Sequence, residues 1–127
     1  MRLTEQYRGA MWPILTGLES GLTRLRLALL ALCGVAERNL PLLIATDTIF
    51  HEAHILTRAD FTEPLEQFLR EGMREGSINA RDVAETASLL FNSVCWTYTH
   101  LRAHHHWEAG RAQTLVVNLV LEGVGLH

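Results

Sequence analysis

Two long apolar stretches close this chain, and their width limits the folds open to it. The first begins at about Ala80. There Val83, Ala87, Leu90, Phe91, Val94, Cys95, Tyr98 and Leu101 recur at helical spacing, while Leu89 and Trp96 add apolar surface on another side. The second runs from about Trp107 or Ala109 to Gly123, and Leu115, Val116, Val117, Leu119, Val120 and Leu121 wrap most of its circumference. A helix that is apolar on more than one face must be covered on more than one face. Two such neighbours imply a partner subunit, each pair meeting its symmetry mate as a four-helix interface.

The rest of the chain is read as further helices with no strand, about six helices in all. Prolines occur only at Pro13, Pro41 and Pro64, leaving long helical tracts between them. The first helix covers roughly Leu3–Leu18, with Pro13 as a kink or break. A second runs from Ser20 or Leu22 to Arg38, with Leu22, Leu25, Leu29 and Leu32 on one stripe. Asn39-Leu40-Pro41 ends it, because the residue before proline avoids the helical region. A third, mixed in polarity, spans Pro41 to about Thr57. The fourth opens at Thr62 or Glu63, tolerates Pro64 in its first turn, and ends on Gly76 as a C-terminal cap. Asn79 is expected to cap the fifth, with Asp82 facing its N-terminal dipole.

Composition narrows the function classes. With 127 residues, 48% of them apolar and 20% charged, the chain fits one soluble domain (1–127) with one core. A net charge of −3 argues against a general nucleic-acid surface. All of the basic residues are arginine, scattered among acids, and no function follows from that. Cys33 and Cys95 lie in apolar runs without a CxxC motif, so buried free thiols in a reducing cytoplasm are expected. The longest near-continuous apolar run, Leu27–Ala36, is too short to cross a bilayer, and Leu3-Thr4-Glu5-Gln6 offers no signal-peptide core. No Gly-rich phosphate loop, nucleophile triad or carboxylate pair stands out, so an enzyme is not expected. Asp47 and His51 are spaced as an acid–base pair but read more simply as a helix-surface pair.

The order of these pieces resembles the C-terminal half of the TetR family of transcription regulators. Residues 1–18 resemble the family's connecting helix, and Pro41-Leu42-Leu43 resembles a helix entry found there. Gly72-x-x-x-Gly76-x-Ile78, followed by Asp82, Ala84 and Ala87-x-x-Leu90, resembles the family's C-terminal signature, and Leu119-x-Leu121-Glu122-Gly123 its closing helix. The resemblance implies a helical bundle that binds a small, partly apolar effector and dimerises through residues 80–124. DNA would be reached only through a helix-turn-helix that this chain does not contain. In such a mechanism the effector binds one arrangement better than another and moves the connecting helix. The interface is expected at Phe91, Val94, Tyr98, Val116, Leu119, Val120 and Gly123, and the effector at Phe50, His54, Phe68, Trp96, Thr97 and His100.

Two further signals compete with bland readings. The aromatic residues Trp12, Phe50, Phe68, Phe91, Trp96, Tyr98 and Trp107 suit a pocket, but core packing is the commoner role. Four of the seven histidines lie in His100-Leu101-Arg102-Ala103-His104-His105-His106. His100 and His104 share a helix face at metal-ligand spacing, and Glu108 or a histidine of the His51 and His54 pair is a further candidate ligand. Exposed polar residues at a helix C-terminus are the weightier reading, and no cofactor is expected beyond adventitious zinc or nickel. The motif lacks the glutamate of H-E-x-x-H. The charged run Arg70-Glu71 and Arg74-Glu75 reads as a solvated face. A His-ligated metal protein, or a heterodimerising modulator without DNA binding, stands as the alternative.

Overall fold

The computed structural model describes residues 3–45 and 61–125. Within them the chain is all-helical: α1 (Leu3–Leu15), α2 (Gly21–Arg38), α3 (Leu40–Ala45), α4 (Glu63–Glu75), α5 (Val83–His104) and α6 (Ala109–Glu122). The expected third helix is seen only in its first part, since residues beyond Ala45 lie outside the described range. α1 stops at Leu15 rather than Leu18, with Pro13 inside its last turn. No helix among the described residues is long and apolar enough to cross a membrane.

Local chemistry explains the helix ends. The Ser20 hydroxyl accepts the Thr23 N–H and caps α2. Gly76 ends α4 in the left-handed conformation at φ 81°, where a side chain is strained, and the Ser77 and Ile78 N–H groups return to the Gly72 carbonyl. At α5 the cap differs from expectation. Asp82, not Asn79, accepts the Glu85 N–H at 2.9 Å. The Asn79 N–H instead donates to the Val124 carbonyl at 2.8 Å, and Ile78 bridges Gly125. The turn between α4 and α5 is thereby tied to the end of α6. Glu108 caps α6, accepting the Gly110 and Arg111 N–H groups, each at 2.9 Å.

α2 is the axis of the bundle and packs against every other described helix. Its fully buried residues Leu25, Ala28, Leu29 and Cys33 meet Leu65, Phe68 and Leu69 of α4, Val94 and Tyr98 of α5 and Val117 of α6 in one core cluster. Where α2 starts, it lies against α4 with no room for a side chain. A methyl on Gly21 would overlap the Gly72 nitrogen and lie 2.6 Å from its Cα and 2.7 Å from the Phe68 carbonyl oxygen. Charges line the same contact. Buried Arg24 pairs with Glu71 and lies over the Phe68 ring, and Glu75 accepts the Gly21 N–H at 2.8 Å. Arg70, Arg74 and Glu75 are exposed, as read from the sequence, and only Glu71 is partly withdrawn from solvent. Glu75 and Glu71 answer the unpaired N–H and the cation at the start of α2.

Gly21→Ala is expected to destabilise the protein by about 1–3 kcal/mol in urea unfolding, because both facing atoms are backbone and must move. Gly34→Ala, in the same helix with open space around it, is expected to stabilise by about 0.5–1 kcal/mol. Equal effects at the two positions would show that the close approach is not a constraint.

Candidate functional site

Two places concentrate chemistry: the outward faces of α5 and α6, and a polar cluster where α2, α5 and the turn before α6 converge. On the outward faces, large apolar side chains meet solvent. Leu89 is 61% exposed and Trp96 47% on α5; Leu115 is 45% and Leu119 71% on α6. Leu89, Ser93, Trp96 and His100 recur at i, i+4, i+7 and i+11, which puts them on one side of α5. Single exposed apolar residues need no explanation; here four of them lie on two helices that pack against each other.

The expected interface residues divide on this geometry. Leu119 and Gly123 are exposed. Val120 is partly buried against the core. Val94, Tyr98 and Val116 are at most 6% exposed and belong to the chain's own core, so they back the outer face rather than form it. Phe91 also points inward, against Tyr7 and Phe61. The sequence pattern places apolar residues all around both helices and does not tell inside from outside.

Four of the expected effector residues, Phe68, Trp96, Thr97 and His100, lie among the described residues. Phe50 and His54, with His51 and Asp47, lie outside the described residues. Phe68 is sealed in the core beneath the Arg24 guanidinium, 5.5 Å from its ring centroid. Trp96, Thr97 and His100 are on the open side of α5. Trp12 is likewise exposed, while Trp107 is partly buried with the Arg111 guanidinium 4.9 Å from its ring centroid.

His100 and His104 are neighbours on α5, as their spacing implies. The His100 and His104 rings have centroids 4.8 Å apart, and His105 lies 5.0 Å from His100. Glu108 is not available to them, because both of its carboxylate oxygens cap α6; those backbone N–H groups hold its carboxyl below the usual range. Among the described residues no group of three or more His, Cys, Asp or Glu side chains could hold a metal ion.

Sequence reasoning missed the polar cluster. The Glu37 carboxylate of α2 accepts the Tyr98 hydroxyl at 2.6 Å and the Arg102 Nε at 2.6 Å, both on α5. Arg102 Nη1 also donates to the Trp107 carbonyl at 2.8 Å. One arginine thus joins the end of α2, α5 and the turn into α6. Its hydrogen bond, then that of Tyr98, holds the Glu37 carboxyl below the usual carboxylate range, while burial and the Glu37 contact push the Tyr98 hydroxyl up. Pairings this distant in sequence leave no local signal.

The opposite side of α5 is apolar and closed. Tyr7, Phe61 and Phe91 form an aromatic triad with centroids 5.2–5.8 Å apart, and the Tyr7 hydroxyl donates to the Phe61 carbonyl at 2.7 Å. α1 is anchored to the core through this contact. Cys33 and Cys95 are free, buried thiols as expected, both pushed up to about 12 chiefly by burial, with Cys95 adding to the shift at Cys33. Such thiols are poor nucleophiles and poor metal ligands. Near them the Thr99 hydroxyl is buried with no hydrogen-bond partner.

Comparison with known proteins is sparse. No family profile matches the chain, and no solved structure matches it. A segment of 52 residues, 41% of this chain, is 33% identical to cohesin subunit SA-3 of Mus musculus and, equally, of Rattus norvegicus. The match spans 4% of the length of those proteins. It establishes no family membership.

Two outcomes follow from these groups. Because the folded Glu37 carboxyl titrates below its unfolded value of about 4.3, its network stabilises the fold above that pH and loses the contribution as pH falls through the lower folded value. Glu37→Gln is expected to show a smaller loss of stability between about pH 7 and about pH 3 than the parent protein in urea titrations; an equal loss would remove Glu37 from the acid response. Thr99→Val, which deletes an unsatisfied hydroxyl at nearly constant shape, is expected to raise stability by about 1 kcal/mol without ligand. A loss of that size would mean that the hydroxyl has a partner in solution.

Proposed function

We propose that this chain is the effector-sensing and dimerisation domain of a TetR-like bacterial transcription regulator, acting as a homodimer. The observation that carries the reading is the exposed apolar row on paired α5 and α6: Leu89, Trp96, Leu115 and Leu119. A second copy of the same surface, related by a twofold axis, would bury all four in a helical interface. The helix order agrees with the sequence resemblance, from the connecting-type helix α1 to the closing helix α6. The left-handed Gly76, the Gly72–Ile78 contact and the Asp82 cap give structural roles to residues that carry the resemblance.

Effector binding would act through α1. Its Tyr7 sits in the aromatic triad with Phe91 of α5, so a shift of α5 within the bundle would be felt at α1 by direct packing. The orphaned Thr99 hydroxyl is the described atom that a bound polar group would satisfy. A small, partly apolar molecule with one hydrogen-bonding group fits that chemistry. DNA contact would belong to another part of the parent regulator.

Native mass spectrometry and light scattering of untagged protein test the reading. The expected mass is twice the 14.3 kDa of the chain, with a bound organic mass on part of the population. Leu119→Asp should give a folded monomer, since Leu119 is 71% exposed and touches little of its own core. A monomeric parent protein, or a dimer that tolerates Leu119→Asp unchanged, would sink the assignment.

A further inference from the structure

We propose that a second copy of this chain docks on α6 in one register, antiparallel to it, with Arg111 of each copy paired to the partner's Glu122. The proposal rests on the homodimer reading above and adds what sets the direction and level of the contact. Arg111, Leu115, Asn118, Leu119 and Glu122 recur at i, i+4, i+7, i+8 and i+11, so they form one stripe along α6. The two leucines and both end charges are exposed, and Asn118 is partly buried. The stripe is thus apolar in its middle, cationic at its start and anionic at its end. Such a stripe complements itself only when reversed. A parallel pairing would set arginine on arginine and glutamate on glutamate, and like charges across a contact exclude a wrong arrangement.

The apolar and the charged pairings fix the same level. Reversal about the midpoint of Arg111 and Glu122 places the twofold axis between Val116 and Val117, and reversal about the midpoint of Leu115 and Leu119 places it at Val117. The two differ by half a residue, about 0.75 Å along a helix. The leucines of the two copies therefore meet in the register that joins the charges. Within the stripe, the Asn118 side-chain oxygen already accepts a hydrogen bond from Arg26 Nη1 of α2, so covering it strands no acceptor. The end charges also oppose the dipole of their own helix. The first turn of α6 has no acid and its last turn no base; instead Arg111 stands near the positive end and Glu122 at the negative end. An antiparallel neighbour brings an opposite charge to each of them. The Trp107 ring, 4.9 Å from the Arg111 guanidinium, holds that side chain at the start of the stripe.

The test is charge reversal, read by sedimentation equilibrium of untagged protein. The parent is expected to be a dimer. Arg111→Glu and Glu122→Arg should each weaken it by about ten-fold, because each loses two ion pairs and gains two repulsions per dimer. Mixing the two variants should restore a dimer with one copy of each, and the double variant Arg111→Glu/Glu122→Arg should dimerise like the parent. The differences should shrink in high salt, which screens exposed charges. Both positions are exposed, so circular dichroism should show every variant folded. A dimeric parent whose single variants dimerise unchanged would overturn this register and leave the homodimer reading standing. So would losses that neither mixing nor the double variant restores. A monomeric parent would overturn both.

Discussion

The contact between Gly21 and Gly72 sets the geometry on which the bundle is built. Two helices can approach to backbone distance only where neither carries a side chain, and here any Cβ on Gly21 would enter the α4 backbone. The approach is fixed in register by charge. Glu75 holds the first N–H of α2, and Glu71 holds the buried Arg24 guanidinium one turn further. A buried ion pair of this kind adds little net stability but makes the wrong register costly, because a slipped helix would leave an unpaired charge inside the protein. With α4 placed, the α2 residues Leu25, Leu29 and Cys33 meet the core that α5 and α6 complete.

At the other end of α2 the closure is polar. Glu37, Tyr98 and Arg102 join α2 to α5, and Arg102 reaches on to the carbonyl of Trp107 before α6. The Asn79–Val124 hydrogen bond and the Ile78–Gly125 bridge close the opposite end of the α5–α6 pair. The two helices are thus held at both ends by directional bonds and between them by apolar packing.

Much of the architecture was legible in the residues. Helical spacing of apolar side chains, three prolines and two well-placed glycines mark the described helices to within a few residues, because those signals act locally. The cap at α5 was misassigned because Asn79 and Asp82 are both competent caps; the backbone hydrogen bond from Asn79 to Val124, 45 residues away in sequence, leaves Asp82 to serve. The roles of Glu71, which is partly buried, and of exposed Glu75 were hidden for the same reason. Their partners, Arg24 and the Gly21 N–H, belong to a different helix.

The candidate sites were legible only as residue types. The histidine spacing on one helix is a local property, so the proximity of His100 and His104 was readable in advance. The third ring, His105, required the helix to end where it does. Residues on α5 and α6 were recognisable as apolar on several faces, which already implied a second covering surface. Which of them face out was decided by packing: α2 claims Val94, Tyr98 and Val117, and Leu89, Trp96, Leu115 and Leu119 are left to solvent. Periodicity follows from covalent geometry and is written along the chain, whereas the direction of a face depends on where the neighbouring helices lie, and those contacts join residues far apart in sequence.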